Sequence, residues 1–195
     1  MIGEIIETSS LAFVAESTTL HRPPPLGELV KVNVGGASYC FGVVCYGSTS
    51  SPDSGRRAVR RGTDGVVDEA IYDVHPQLTR LLQTIFQVAL VAWQDEDERI
   101  RTGLPPSPPP MHHAVHLVSD NELRLISDHP AYLTLLHAAQ TPTPPEQLLA
   151  AHLRVVARRR GDDNDWLERA TRDCLRLLKA DHRQLLALLS AVEPR

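Results

Sequence analysis

No stretch of this 195-residue chain approaches the roughly 20 apolar residues needed to cross a bilayer, and Met1-Ile2-Gly3-Glu4-Ile5-Ile6-Glu7 lacks the basic-then-apolar order of a secretory signal. The expectation is a soluble, cytoplasmic protein without membrane insertion. Cysteine is scarce: Cys40, Cys45 and Cys174 make an odd number, two on expected strands and one on an expected helix. That pattern indicates no disulfide framework, and a reducing compartment is the default. A large excess of one charge is also missing. Lys and Arg number 20 against 24 Asp and Glu, a net charge of -4, which excludes coating nucleic acid by bulk electrostatics and leaves only a local basic patch for that purpose. Gly-x-x-x-x-Gly-Lys-Ser/Thr occurs nowhere, so no phosphate-binding loop of that type is present in the sequence, and no cofactor is expected.

What the chain does have is a hydrophobic content of 42%, enough to fill a core, and a sharply written hairpin. Val30, Val32 and Val34 alternate on one strand and Tyr39, Phe41 and Val43 on the next. Between them Gly35-Gly36 supplies the positive φ that both central positions of a type I′ turn require. Gly3 to Ile6 and Leu11 to Ala15 are β-prone runs around the polar turn Thr8-Ser9-Ser10. Tyr46 to Ala70 reads mainly as a loop, with a weak strand near Ala58-Val59.

Leu78, Leu81, Leu82 and Ile85 recur at helical spacing, so a short core-packing helix is expected over Gln77 to Ile85, after the turn Ile71 to Pro76. Phe86 to Trp93 is apolar on both faces apart from Gln87, as in a covered strand. The acidic run Asp95 to Glu98 precedes the stiff Pro105 to Pro110 segment, and His113 to Val118 is expected as the strand that closes a barrel. Ser119 and Glu122 form a capping box, and Thr143 and Glu146 a second, with Pro145 in the first helical turn. Helices are then expected from there to about Arg160, from Asp165 to Lys179, and from Asp181 to Val192. Leu185, Leu186, Leu188, Leu189 and Val192 supply the last one's apolar side.

Gly3 to Ser10, Leu26-Gly27-Glu28-Leu29-Val30, Tyr39 to Val44, the Ile71 to Pro76 turn and the proline-rich entry to His113 to Val118 together resemble the barrel domain of the HerA and ATP synthase class of ring ATPases. The resemblance covers roughly Met1 to Val118. It implies a stand-alone barrel of the kind that forms rings or docks partners ahead of a motor domain. It does not carry over ATP hydrolysis, because the phosphate-binding loop of the motor is missing.

The expected architecture is α+β: a small antiparallel β-barrel over 1–118 with a short helix inserted near 77–85, a helical connector over 119–141, and a short C-terminal helical bundle over 142–195. Candidate contact residues are Arg56, Arg57, Arg60 and Arg61, whose guanidinium groups suit phosphates or a partner's carboxylates. No aromatic stacking partner accompanies them in the loop. Arg158-Arg159-Arg160 sits where cations favour a helix C-terminus. His112 and His116, four apart on one strand face with Ala114 between them, would be two metal ligands without an evident third. The expected function is non-enzymatic protein docking or self-association. The alternatives are a nucleic-acid-associated factor using the Arg56 to Arg61 loop and a metal-dependent enzyme centred on His112 and His116.

Overall fold

The computed structural model describes residues 1–53, 55, 58–63, 65–178 and 182–192. Its strands are β1 (Gly3–Thr8), β2 (Ala12–Ser17), β3 (Leu29–Gly35), β4 (Ser38–Ser50), β5 (Gln83–Gln94), β6 (Ile100–Thr102) and β7 (Ala114–Leu117). Every pairing is antiparallel. In the order β2-β1-β7-β3-β4-β5, with β2 pairing back onto β5, six strands close a barrel, and β6 extends β5 outside it. Closure removes the exposed edges that an open sheet would present.

Period-two alternation sorts the barrel. Val30 and Val32 face inward opposite Gly42 and Cys40, joining Ile5, Phe13, Val44, Phe86, Val88 and Val115 in one buried cluster. The alternate residues Phe41, Val43 and Cys45 point out of the barrel yet are also buried, because helices cover them. Gly42 is needed where β4 crosses β5: a Cβ there would lie 2.5 Å from Val88 Cγ1 and 2.6 Å from the Ala89 oxygen.

Helices α1 (Ala70–Val74) and α2 (Leu78–Leu81) lie between β4 and β5; α3 (Asp120–Ser127), α4 (Ala131–Ala138), α5 (Pro145–Arg159), α6 (Asn164–Leu177) and α7 (His182–Val192) follow the strands. Leu123, Tyr132, Leu136, Leu149, Leu153, Trp166 and Leu188 from this second set share one apolar cluster with the outward residues of β4 and β5. The α3 start has the expected capping box, with Ser119 and Glu122 each satisfying the other's backbone.

Several expectations are corrected. The glycines both have positive φ, 132° at Gly35 and 54° at Gly36, but Gly35 pairs with Ser38 and a register shift between Asn33 and Gly35 moves the turn one residue on. Asn33 holds it there, its side chain accepting from Gly35 N and donating to Gly36 O. The helix over Gln77 to Ile85 shrinks to Leu78–Leu81 and buries none of its residues. Four residues are too few for a stable helix alone, and from Gln83 the chain gains ladder hydrogen bonds to β4, and from Ile85 to β2 as well. β4 runs on to Ser50, Ala58-Val59 is not a strand, and the Ile71 to Pro76 turn overlaps α1. β7 wedges between β1 and β3, so the ring is completed by the β2–β5 pairing as well.

At α5 the second capping box does not form. Pro145 stands in the first turn as expected, while Thr143 Oγ1 donates to the Cys45 oxygen of β4 instead of capping the helix. Leu186 is exposed, unlike its buried neighbour Leu188. Lys179 and Asp181, the expected end of one helix and cap of the next, lie outside the described residues.

Candidate functional site

The β4–β5 ladder outruns its neighbours. β3 leaves β4 after Leu29↔Val43, and β2 leaves β5 after Glu16↔Ile85, whereas β4 and β5 stay paired to Ser50↔Gln83. This two-stranded ribbon carries the described residues between Ser50 and Gln83 as an arm. Its base is tied by polar contacts around Thr84, which is buried: the hydroxyl meets Thr49 Oγ1 at 2.8 Å and accepts from His21 N at 2.7 Å. The His21 ring in turn hydrogen-bonds the Tyr72 hydroxyl of α1, edge to face, with centroids 5.4 Å apart.

Between the described residues that follow β4 and the two short helices lies a cleft of about 650 Å³, lined by Val59, Ile71, Leu78 and Leu81 together with Asp53, Arg61 and Arg80. Of the apolar side chains lining it, Val59 is 63% exposed and Leu81 46%, and Val67 and Val74 are exposed elsewhere between β4 and β5. Apolar side chains clustered in this way mark contact surfaces. The sequence did contain this signal, as aliphatic residues scattered through a polar loop, but without periodicity they point to no particular face.

Of the four candidate arginines, Arg60 and Arg61 are exposed on this arm and form no ion pair with a described residue; Arg56 and Arg57 lie outside the described residues. The arm is not a basic patch as a whole. Arg56, Arg57, Arg60, Arg61 and Arg80 are matched in sequence by Asp53, Asp64, Asp68, Glu69 and Asp73. That balance suits a charged rim around an apolar contact better than a track for a phosphate backbone.

The histidines are not assembled into a centre. His112, at φ 62°, precedes β7 and its ring meets Glu4 Oε1 at 2.8 Å, while His116 stands opposite Lys31. Partial burial, with the N-terminus and Lys31 nearby, holds the His116 imidazolium below its ordinary pKa. Among the described residues no group of three or more His, Cys, Asp or Glu is placed to hold a metal ion. Cys40 and Cys45 are buried on opposite faces of β4, and burial pushes both thiols up to about 11.

Arg159 and Arg160 belong to the scaffold. Arg159 bridges Glu28 Oε1 at 2.9 Å, Asp120 Oδ1 at 2.7 Å and the Val118 oxygen at 2.8 Å. Arg160 reaches Asp128 and Asp163 and lies over the Trp166 ring.

A second cleft, of about 680 Å³, lies at the other end of the ladder, where Tyr39 pairs with Gln94. Tyr39 and Trp93 line it together with Asp95, Glu96 and Asp97 and the Pro105 to Pro110 segment. The acidic run therefore borders a concave surface, a placement its local sequence does not announce.

No helix among the described residues is long and apolar enough to cross a membrane. No family model matches the chain, and no curated protein matches it either.

Proposed function

We propose that this chain is a non-enzymatic barrel module for protein docking or assembly, similar in role to the ring-forming barrels that its first 118 residues resemble. The observation that carries the reading is the arm: a ribbon tied at its base to the barrel, ending in exposed aliphatic side chains around a cleft. Rigid presentation of apolar groups lowers the ordering cost of association. The C-terminal helices, read as a bundle, add a second contact surface on the barrel's outer side.

Light scattering and affinity purification of the wild type beside a Val59→Asp/Leu81→Asp variant test this. Both side chains are exposed, so the fold is retained while assembly or partner capture is lost. A wild type that is strictly monomeric and co-purifies with nothing overturns the reading. The nucleic-acid alternative predicts salt-sensitive binding that disappears when Arg56, Arg57, Arg60 and Arg61 become Ala; the balanced charge of the arm argues against it.

A further inference from the structure

The segment between β2 and β3 reaches both strands of the ribbon at its base. The Ser17 hydroxyl donates to the Arg22 oxygen at 2.9 Å, His21 N donates to Thr84 Oγ1 of β5 at 2.7 Å, and Pro23 packs on β4, where a Cβ at Gly47 would lie 3.3 Å from Pro23 Cγ. His21 itself has φ 62°, a left-handed conformation uncommon outside glycine. The fastened segment holds it there with its ring on Tyr72.

Tyr72 has two roles in the arm. Its hydroxyl meets the His21 ring, the two rings standing edge to face, and the residue also lines the arm cleft with Ile71, Leu78 and Leu81. Neither α1 nor α2 buries a residue, so no core fixes these helices on the barrel. Among the described residues, the bond from Tyr72 to His21 is the one hydrogen bond that α1 or α2 makes outside the arm. It is exposed to solvent, and an exposed hydrogen bond has a net strength modest enough to open and reclose thermally.

We propose that the His21–Tyr72 contact is a latch that sets the position of α1 and α2 on the barrel and with it the shape of the arm cleft. This rests on the docking reading above and supplies its regulation. A partner seated against Tyr72 favours the closed latch, and opening the latch lowers the apparent affinity by the fraction of arms that remain closed.

Paired nitroxide labels on the full chain test it. Cys40, Cys45 and Cys174 are buried, so Val74→Cys on the arm and Leu117→Cys on β7, both at exposed positions, take the labels. The distance between them is expected to have one narrow distribution. Its width at least doubles in Tyr72→Phe, which keeps the ring, and in His21→Asn, which tolerates the same φ but withdraws the imidazole. A reference pair, Leu11→Cys with Leu117→Cys, lies outside the arm and stays narrow throughout. An unchanged width in either variant overturns the latch, as does equal broadening of the reference pair, which reports a loosened barrel. If the arm pair broadens as expected while Val59→Asp/Leu81→Asp captures partners as well as the wild type, the latch stands and the docking reading fails. If that double variant loses capture while Tyr72→Phe keeps the wild-type width, the docking reading stands and the latch fails.

Discussion

His152 on α5 donates from Nδ1 to the Gly27 oxygen at 2.7 Å, and a Cβ on Gly27 would lie 2.5 Å from the backbone nitrogen of His152. The two residues are 125 positions apart and join the entry to β3 with the helix packed over the barrel. Because Nδ1 carries the proton, Nε2 accepts, and the Tyr132 hydroxyl of α4 donates to it at 2.8 Å. A neutral imidazole satisfies both neighbours.

Replacing Gly27 with Ala removes both features of this contact. Its φ of 85° disfavours any L side chain, and the added carbon meets helix backbone that cannot swing aside. The substitution is expected to destabilise the fold by about 3 kcal/mol. Chemical denaturation measures this, and a loss below 1 kcal/mol contradicts the close approach.

Burial pushes the His152 imidazolium down to about 4, partly opposed by the Gly27 hydrogen bond, from 6.5 in the unfolded chain. The unfolded state therefore binds the extra proton first. Its contribution to stability is full above pH 6.5, falls as pH drops towards 4, and levels off below that. The maximum slope is about 1.4 kcal/mol per pH unit. His152→Gln, which keeps one donor and one acceptor, is expected to flatten this part of the pH–stability profile even if it lowers stability overall. An unchanged slope in the variant would assign the titration elsewhere.

Arg159 tests a partly buried charge cluster. Truncation to Met leaves Glu28, only 8% exposed, without its guanidinium partner, at a cost of about 2 kcal/mol. Glu28→Gln/Arg159→Met should recover part of that, since no lone carboxylate remains. A double-mutant cycle reads the coupling, and strictly additive losses would show the pair to be uncoupled.

At Gly42, Ala is expected to cost about 2 kcal/mol by overpacking the β4–β5 crossing. Shortening Val88 to Ala removes the Cγ1 contact but leaves the Ala89 oxygen 2.6 Å from the new carbon. The double variant should therefore be no more stable than Gly42→Ala alone, as judged by thermal melting.

Features set by a few neighbouring residues were legible in the chain. The Ser119 cap needs only a hydroxyl and a carboxylate three residues on, and it forms as read. The Thr143 motif has the same spacing, yet its hydroxyl goes to Cys45, 98 residues away. Local grammar was identical in the two cases; a competing acceptor in the barrel decided between them. Likewise Ile85 fits a helical stripe by spacing, but its backbone pairs with Ser48 and Glu16. Within the candidate site, Arg60 and Arg61 were visible as a basic pair. The exposed aliphatic rim and the cleft beside Asp95 to Glu98 were not, since exposure and concavity arise only when distant strands meet.

The sequence by itself determined the alternating strands, the glycine-bearing hairpin, the proline breaks and the Ser119 cap, because backbone sterics and short-range hydrogen bonds act over a few residues. Only the tertiary structure decided that β4 is covered on both faces, that Gly27 must be small for α5 to approach, and that clefts stand at the two ends of the β4–β5 ladder. Those outcomes depend on burial and pairing between residues far apart in the chain, whose energies no short window of sequence contains.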